Sequence, residues 1–120
     1  MNPQVEKVEI TMALIGSRWC PAIMYVLILH GTQRFSQLRR YIPDVSQRML
    51  TKQLRDLERA GLVLRVLYAE VPLRVEYSAT ELGISLAPIY QQVCAWADKN
   101  WGAVTQAQQH YDDSASNTKN

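Results

Sequence analysis

The segment Ser46–Gly61, SQRMLTKQLRDLERAG, constrains the fold more than any other stretch, because it reads as an amphipathic helix with two different faces. Apolar side chains recur at three- and four-residue spacing and predict one apolar stripe: Met49, Leu50, Leu54 and Leu57. Polar and cationic side chains fall largely on the other side: Gln47, Arg48, Thr51, Lys52, Arg55 and Arg59. The segment therefore predicts a helix that is buried along one side and presents cations on the other.

Both ends of this helix carry sequence signals. Ser46 is a good N-cap residue, and Val45 can pack on Leu50 as a hydrophobic staple. Gly61 favours termination at the carboxyl end, where a left-handed residue commonly follows the last turn.

The cationic face suits the major groove of DNA. Arginine and lysine can bond guanine, glutamine can bond adenine, and the threonine methyl group can contact that of thymine. An ordinary solvated helix face would carry the same residue types. The helix alone leaves these two interpretations about even, and the rest of the chain must decide between them.

Two helices are predicted ahead of this segment. Val5–Ile15 carries apolar residues at helical spacing, and Gly16–Ser17 breaks the pattern. Arg18–His30 follows and is apolar almost all round from Ala22 to Leu29, which predicts a helix central to the core. Pro21 suits its first turn, where no backbone donor is lost.

Thr32–Phe35 is predicted to be a short connection or a strand with a single pair. Ser36–Tyr41 then forms a short helix, with Ser36 as its cap or with Phe35 already inside it. Leu38 would point inward and Arg39 and Arg40 outward. Two helices joined by a tight turn, the second one cationic, form the helix-turn-helix pattern.

After Gly61 the periodicity changes to that of strands. Residues 62–69 are rich in β-branched and aromatic side chains, residues 70–73 surround Pro72, and residues 74–79 alternate polar with apolar. This predicts a β-hairpin. A helix-turn-helix followed directly by a hairpin is a winged helix, with its wing at 70–74.

A long helix is predicted from Thr80, a capping residue, to about His110. Pro88 removes a backbone donor, which predicts a kink or break near 84–88. Residues 112–120, DDSASNTKN, lack apolar anchors and are predicted to be a disordered tail.

Charge is unevenly distributed along the chain. Residues 34–74 contain nine Lys or Arg against four Asp or Glu, a balance of +5, whereas the remainder has a balance of −3. A basic centre between more acidic ends is typical of a nucleic-acid module with separate partner-binding ends.

The composition excludes several other classes. Two cysteines, Cys20 and Cys94, do not form a disulfide framework, and His30 and His110 are too far apart for a metal-ligand motif. No nucleophile–base pair or phosphate-binding loop is visible, so neither an enzyme nor a cofactor is expected. The chain has no apolar run of membrane-spanning length and no apolar signal region, which predicts a cytoplasmic protein without membrane contact.

Several motifs together resemble the HxlR family of bacterial winged-helix transcription regulators. They are IGSRW at 15–19, RFSQLRRYIPDVSQRMLTKQLRDLERAGLV at 34–63, VPLRVEYSATELG at 71–83, and the later Ala95–Trp96. The resemblance runs continuously from about Val8 to Trp96. It implies a homodimer that binds a pseudo-palindromic operator.

The face geometry and the apolar pattern, together with the resemblance for residues 46–55 and Arg74, give the candidate functional residues. The candidate DNA-binding residues are Arg39, Arg40, Ser46, Gln47, Arg48, Thr51, Lys52, Arg55 and Arg74. The candidate dimer-interface residues are Val8, Met12, Ile89, Val93, Trp96 and Trp101. Aromatic residues near the predicted dimer elements suggest a site for a small-molecule effector, although an interface core is the commoner use of such residues.

Several relatives in the family sense oxidants through a cysteine ahead of the first helix. Aligning IGSRW places that position at Glu6, so the sensing thiol is absent. Cys20, at a helix start beside Arg18 and Trp19, is the remaining redox candidate. Burial in the predicted core would raise its pKa and block oxidants, which favours inert packing.

The prediction is therefore a mainly α protein with a small β-hairpin, a winged helix-turn-helix with N- and C-terminal dimerisation helices. Residues 1–111 form this domain. Its function is predicted to be sequence-specific DNA binding as a transcription regulator. The alternative is a winged helix used only for protein–protein contacts, which would explain the fold but not the cationic face.

Overall fold

The computed structural model describes residues 2–118 and contains six helices and one hairpin within that range. The elements follow in this order: α1 (Pro3–Ile15), α2 (Cys20–His30), α3 (Phe35–Tyr41), α4 (Gln47–Arg59), β1 (Val63–Tyr68), β2 (Arg74–Ala79), α5 (Glu81–Ile84) and α6 (Ala87–Thr118). The winged-helix prediction, mainly α with a small hairpin, is confirmed. The chain divides into two compact units between Ala87 and Pro88, and each is described by itself.

The core of the first unit is built from one side of each helix. Its fully buried side chains come from α2, α3, α4 and the connection between α3 and α4: Cys20, Ile23, Met24, Leu38, Val45, Leu50, Leu54 and Leu57. Helix α2 also buries Val26 and Leu27 and so supplies more buried residues than any other helix, as its apolar sequence predicts. The helix is not covered on every side, because Tyr25 and Leu29 are more than half exposed.

Helix α3 begins one residue earlier than Ser36. Its N-cap is Arg34, whose backbone N–H donates to Oε1 of Gln37 at 2.7 Å. Phe35 is therefore inside the helix, and the alternative with Ser36 as cap is wrong. A side chain three residues into the helix satisfies the backbone donor at its start, which is why no serine cap is needed.

Helix α4 has the ends that its sequence predicts. The Ser46 hydroxyl accepts from the Met49 backbone N–H at 3.1 Å. At the other end Gly61 has φ +78°, and the N–H groups of Gly61 and Leu62 donate to the carbonyls of Glu58 and Leu57. This is a Schellman motif, which requires a left-handed residue and so favours glycine.

Strands β1 and β2 pair antiparallel in register from Val63 opposite Ala79 to Tyr68 opposite Arg74. The predicted single-pair strand is present, since Gln33 and Tyr77 exchange backbone hydrogen bonds of 2.9 and 2.8 Å. The base of the hairpin is thereby attached to the segment that leads into α3.

The predicted break near 84–88 is confirmed. Helix α5 ends at Ile84 and α6 begins at Ala87, so Pro88 lies in the first turn of a new helix, where its missing donor costs nothing.

The predicted tail from Asp112 is helical as far as Thr118, so the prediction of disorder is wrong for residues 112–118. No proline or glycine interrupts the sequence after Gly102, and Gln109 bonds Asp113 one turn later at 3.0 Å. Residues 119 and 120 lie outside the described residues.

No single helix within residues 2–118 is both long and apolar enough to cross a membrane. Helices α1 and α2 reach that length and hydropathy only when taken together, as a pair bent by 67°.

Candidate nucleic-acid interface

Helix α4 divides into the two faces that its sequence predicts. Leu50, Leu54 and Leu57 are buried, whereas Met49, expected in the same stripe, is 37% exposed. The opposite side forms an open concavity lined by polar and charged side chains: Gln47, Arg48, Thr51, Lys52, Arg55 and Asp56. The burial of one side in the core fixes which side chains α4 can offer a partner.

Two of these side chains are already engaged within the helix. The Thr51 hydroxyl donates to the Gln47 carbonyl at 2.8 Å, which leaves its methyl group and oxygen lone pairs for a base. Lys52 Nζ lies 2.9 Å from Asp56 Oδ2 in an exposed pair. Exposed pairs of this kind are weak, so phosphate oxygens could displace Asp56 from Lys52 at little cost. No ion pair within the described residues holds Arg48 or Arg55.

A second cationic concavity lies at the start of α3, lined by Thr32, Arg34, Ser36, Gln37, Arg40 and Glu76. Arg40 was a sequence candidate and Arg34 was not. The hydrogen bond from Arg34 to Gln37 places Arg34 at the head of α3, on the same concavity as Arg40. Its position at the start of the RF-x-x-L-R motif was the available signal. Arg39 is exposed but does not line this concavity.

A third concavity connects α4 with the hairpin and is lined by Thr51, Leu54, Arg55, Glu58, Arg65 and Tyr77. Arg65 was also missed by sequence reasoning, because its strand was interpreted only as part of the wing. The register places Arg65 opposite Tyr77, and this pairing directs it to the side of the hairpin that shares a concavity with Arg55.

Arg74, the wing candidate, has an environment unlike that of the α4 cations. Its Nη2 lies 3.0 Å from Glu70 Oε1, its Nη1 lies 3.5 Å from Glu76 Oε2, and its Cζ lies 4.0 Å from the centroid of the Tyr68 ring. Only 28% of the Arg74 side chain is exposed. Its charge is therefore held inside the wing.

The other candidate residues fall into two groups. The predicted dimer-interface residues are all at least 46% exposed: Val8, Met12, Ile89, Val93, Trp96 and Trp101. Cys20 is completely buried, whereas Cys94 is exposed. Within residues 2–118, no three His, Cys, Asp or Glu side chains cluster as a metal site would require.

Comparison with known proteins identifies the group to which this chain is related. Residues 14–105 match the family model described as HxlR-like helix-turn-helix. The chain belongs to the HxlR family. It is thus a winged-helix transcription regulator that binds DNA, as the motifs at 15–19, 34–63 and 71–83 imply.

Curated relatives of this HxlR-family protein are HTH-type transcriptional regulators. YkvN of Bacillus subtilis, itself uncharacterized, is 49% identical over 88 residues, which cover 73% of this chain and 74% of YkvN. YodB of Bacillus subtilis is 38% identical over 98 residues, which cover 82% of this chain and 87% of YodB.

Solved structures of proteins with similar sequences have the same fold. The redox regulator HypR in its reduced form matches with a TM-score of 0.75 at 42% identity, covering 83% of this chain and 98% of HypR. The reduced form of YodB from B. subtilis matches with a TM-score of 0.71 at 37% identity, covering 82% of this chain and 93% of YodB.

Proposed function

We propose that this regulator binds a pseudo-palindromic operator as a homodimer, with α4 of each protomer in the major groove. The observation that carries the proposal is the exposed face of α4, where Arg48 and Arg55 form no ion pair with any residue that the structure describes. Base reading requires such unoccupied donors, because guanine is bonded by a bidentate arginine. Gln47, Thr51 and Lys52 share the concavity and complete a face with donors and acceptors.

We assign contacts with the DNA sugar-phosphate backbone to the cations around α4. Arg34 and Arg40 line the concavity at the head of α3, and Arg65 lies beside Arg55. Contacts of this kind fix the orientation of a helix-turn-helix on the duplex without reading sequence. Ser46 caps α4 and positions its first turn, and Arg39 adds an exposed cation on α3.

The experiment that tests this function starts from a randomised duplex library, because the sequence does not give the operator. The protein should enrich a site with two inverted half-sites one helical turn apart. Loss of that enrichment in an Arg48→Ala/Arg55→Ala variant would support α4 as the reading helix. A winged helix used only for protein contacts would enrich no sequence and show no salt-sensitive binding.

The dimer is supported by apolar residues that a single chain leaves in water. Val8 and Met12 on α1 and Ile89, Val93 and Trp101 on α6 are exposed, and large apolar surfaces on one protein usually mark an interaction site. A two-fold axis would bury the same surface of both protomers and place the two α4 helices roughly 34 Å apart.

We expect Trp101→Asp to convert the dimer into monomers, because one buried charge per protomer is too costly for an apolar interface. Light scattering at micromolar concentration measures the oligomeric state, and Gln106→Asp, an exposed polar position on the same helix, is the control. A Trp101→Asp protein that remains dimeric would exclude Trp101 from the interface.

We propose that this protein does not sense its signal through a thiol switch at Cys20. HypR is named as a redox regulator, and YodB has been solved in diamide-treated and quinone-bound forms. Here Glu6 aligns with the sensing position of several relatives, and Cys20 is buried where oxidants cannot reach the sulfur. An effector at the dimer interface, or no effector at all, would then set the DNA-binding state.

We therefore expect peroxide or a quinone to change the affinity of the wild-type protein for its operator by less than about twofold. The reason is that the only cysteine of the first compact unit, which contains α4, is buried. Cys20→Ser and Cys94→Ser are compared separately by fluorescence anisotropy. Release of wild-type protein by oxidant, with one of the two serine variants still bound, would identify that cysteine as a sensor.

The remaining assignments follow from this role. A regulator of this family acts on the chromosome, so we propose a cytoplasmic protein that needs neither a cofactor nor a catalytic site.

A further inference from the structure

The outer end of the wing has little support from the rest of the protein. Val71 at its tip is fully exposed and Leu73 is 63% exposed. Two-stranded hairpins are marginally stable in water by themselves. The hairpin is attached to the segment before α3 through the Gln33–Tyr77 bridge, but the last strand pair, Tyr68 opposite Arg74, lies three residues beyond that attachment. Order at the tip must therefore come from contacts within the wing.

Four residues around this last pair supply such contacts, and we call them the wing brace: Tyr68, Glu70, Arg74 and Glu76. The Arg74 guanidinium stacks on the ring of Tyr68 across the ladder. It bonds Glu70 in the loop at 3.0 Å and lies 3.5 Å from Glu76 on its own strand. One side chain thus joins β1, the loop and β2.

The brace leaves Arg74 with little capacity to bind DNA. Both terminal nitrogens face carboxylates, and Nε is buried without a hydrogen-bond partner among the described residues. An arginine that reads a base or clamps a phosphate needs an accessible pair of N–H groups. Together, Arg74, Glu70 and Glu76 carry a net charge of −1, which phosphates would repel.

We propose that Arg74 is a positioning residue of the wing rather than a DNA contact, and that Glu70 and Glu76 support operator binding despite their negative charge. The inference deepens the proposed DNA-binding function and rests on it. It replaces the assignment of Arg74 as a DNA-binding residue, which sequence and family resemblance favour.

The first test follows wing order without DNA. Hydrogen exchange measured by mass spectrometry on peptides covering 64–79 should accelerate by about fivefold in Arg74→Lys and in Glu70→Gln/Glu76→Gln, because each loses the brace. Arg74→Lys keeps the charge but cannot hold two carboxylates and stack as a planar group. Unchanged exchange in both variants would overturn the proposal. This readout does not depend on whether α4 reads DNA.

The second test uses the sign of the charge change. Glu70→Gln/Glu76→Gln removes two negative charges, so any account in which Arg74 contacts DNA predicts tighter operator binding. The brace predicts weaker binding, by about fivefold, of the duplex that the wild type enriches. The charge-matched control is Glu9→Gln/Glu81→Gln, since both glutamates are exposed, line none of the three concavities and hold no ion pair within the described residues.

Weaker operator binding by the double glutamine variant, with unweakened binding by the control, supports the brace. Tighter operator binding by the double glutamine variant overturns it, whatever the hydrogen exchange shows. If the α4 variants Arg48→Ala and Arg55→Ala leave operator binding unchanged, the proposed DNA-reading helix fails, and the exchange measurement still decides the brace.

Discussion

Gly83→Ala is expected to lower the free energy of unfolding by about 3 kcal/mol, because an added methyl group would collide with the backbone. A Cβ at Gly83 would overlap the Leu62 carbonyl oxygen and lie 2.9 Å from Cε of Met24. The methionine could move, but the carbonyl is fixed by the N–H of Thr80, which donates to it at 3.1 Å. Urea denaturation followed by circular dichroism measures the loss.

The matched control is Gly102→Ala. Gly102 is also helical and has no atom within 4 Å of an added Cβ, so its substitution should leave the free energy of unfolding unchanged or raise it by up to about 1 kcal/mol. An equally small effect at Gly83 would mean that the close approach to the Leu62 carbonyl does not restrict this position to glycine.

The contacts at the junction of β2 and α5 also explain the T-x-x-G motif at 80–83, which the sequence showed only as a resemblance. The Thr80 hydroxyl donates to the Gly61 carbonyl at 2.6 Å and accepts from the Gly83 N–H at 3.1 Å. Thr80 thereby links the end of α4 to the start of α5, and the glycine three residues later permits the approach to Leu62. The T-x-x-G spacing in this chain follows from these contacts.

The elements with strong periodicity and clear end signals could be predicted from sequence. Helix α4 is the best case. Ser46 marks its N-cap, the leucine stripe marks its buried face, and Gly61 marks the left-handed residue at its end. The break before Pro88 follows as directly from a missing backbone donor. Helix α2 was predicted less well, because an apolar composition does not reveal which side remains exposed, as Tyr25 and Leu29 do.

The charge environment of each candidate could not be predicted, because it depends on tertiary pairing. Arg74 and Arg48 look equivalent in sequence, yet the first is held by Glu70 and Glu76 and the second has no ion pair within the described residues. Arg34 is placed beside Arg40 by the actual start of α3, and Arg65 is placed beside Arg55 by the hairpin register.

The second large effect is expected in DNA binding. Arg48→Ala and Arg55→Ala should each weaken binding of the enriched operator by roughly 1–3 kcal/mol if they reach base edges, and the double variant by about 10²- to 10⁴-fold. Fluorescence anisotropy with a labelled operator duplex measures the affinity at a fixed salt concentration, because counterion release makes affinities at different salt concentrations incomparable.

Loss of two charges must be separated from loss of two base contacts. Arg59→Ala/Lys99→Ala removes the same charge from exposed positions outside the α4 concavity and should cost at most about tenfold. Equal losses in the two double variants would assign Arg48 and Arg55 to general attraction rather than to reading.

The central claim, that the exposed face of α4 reads DNA sequence, is tested most directly by a ratio of two dissociation constants. Each protein is titrated with the enriched operator duplex and with a duplex of the same composition in scrambled order, in one buffer. For wild type we expect a preference of about 10³-fold or more. For Arg48→Ala/Arg55→Ala we expect that preference to fall to within about tenfold of unity. A double variant that keeps the wild-type preference would contradict the account, because the sequence would then be read by another surface.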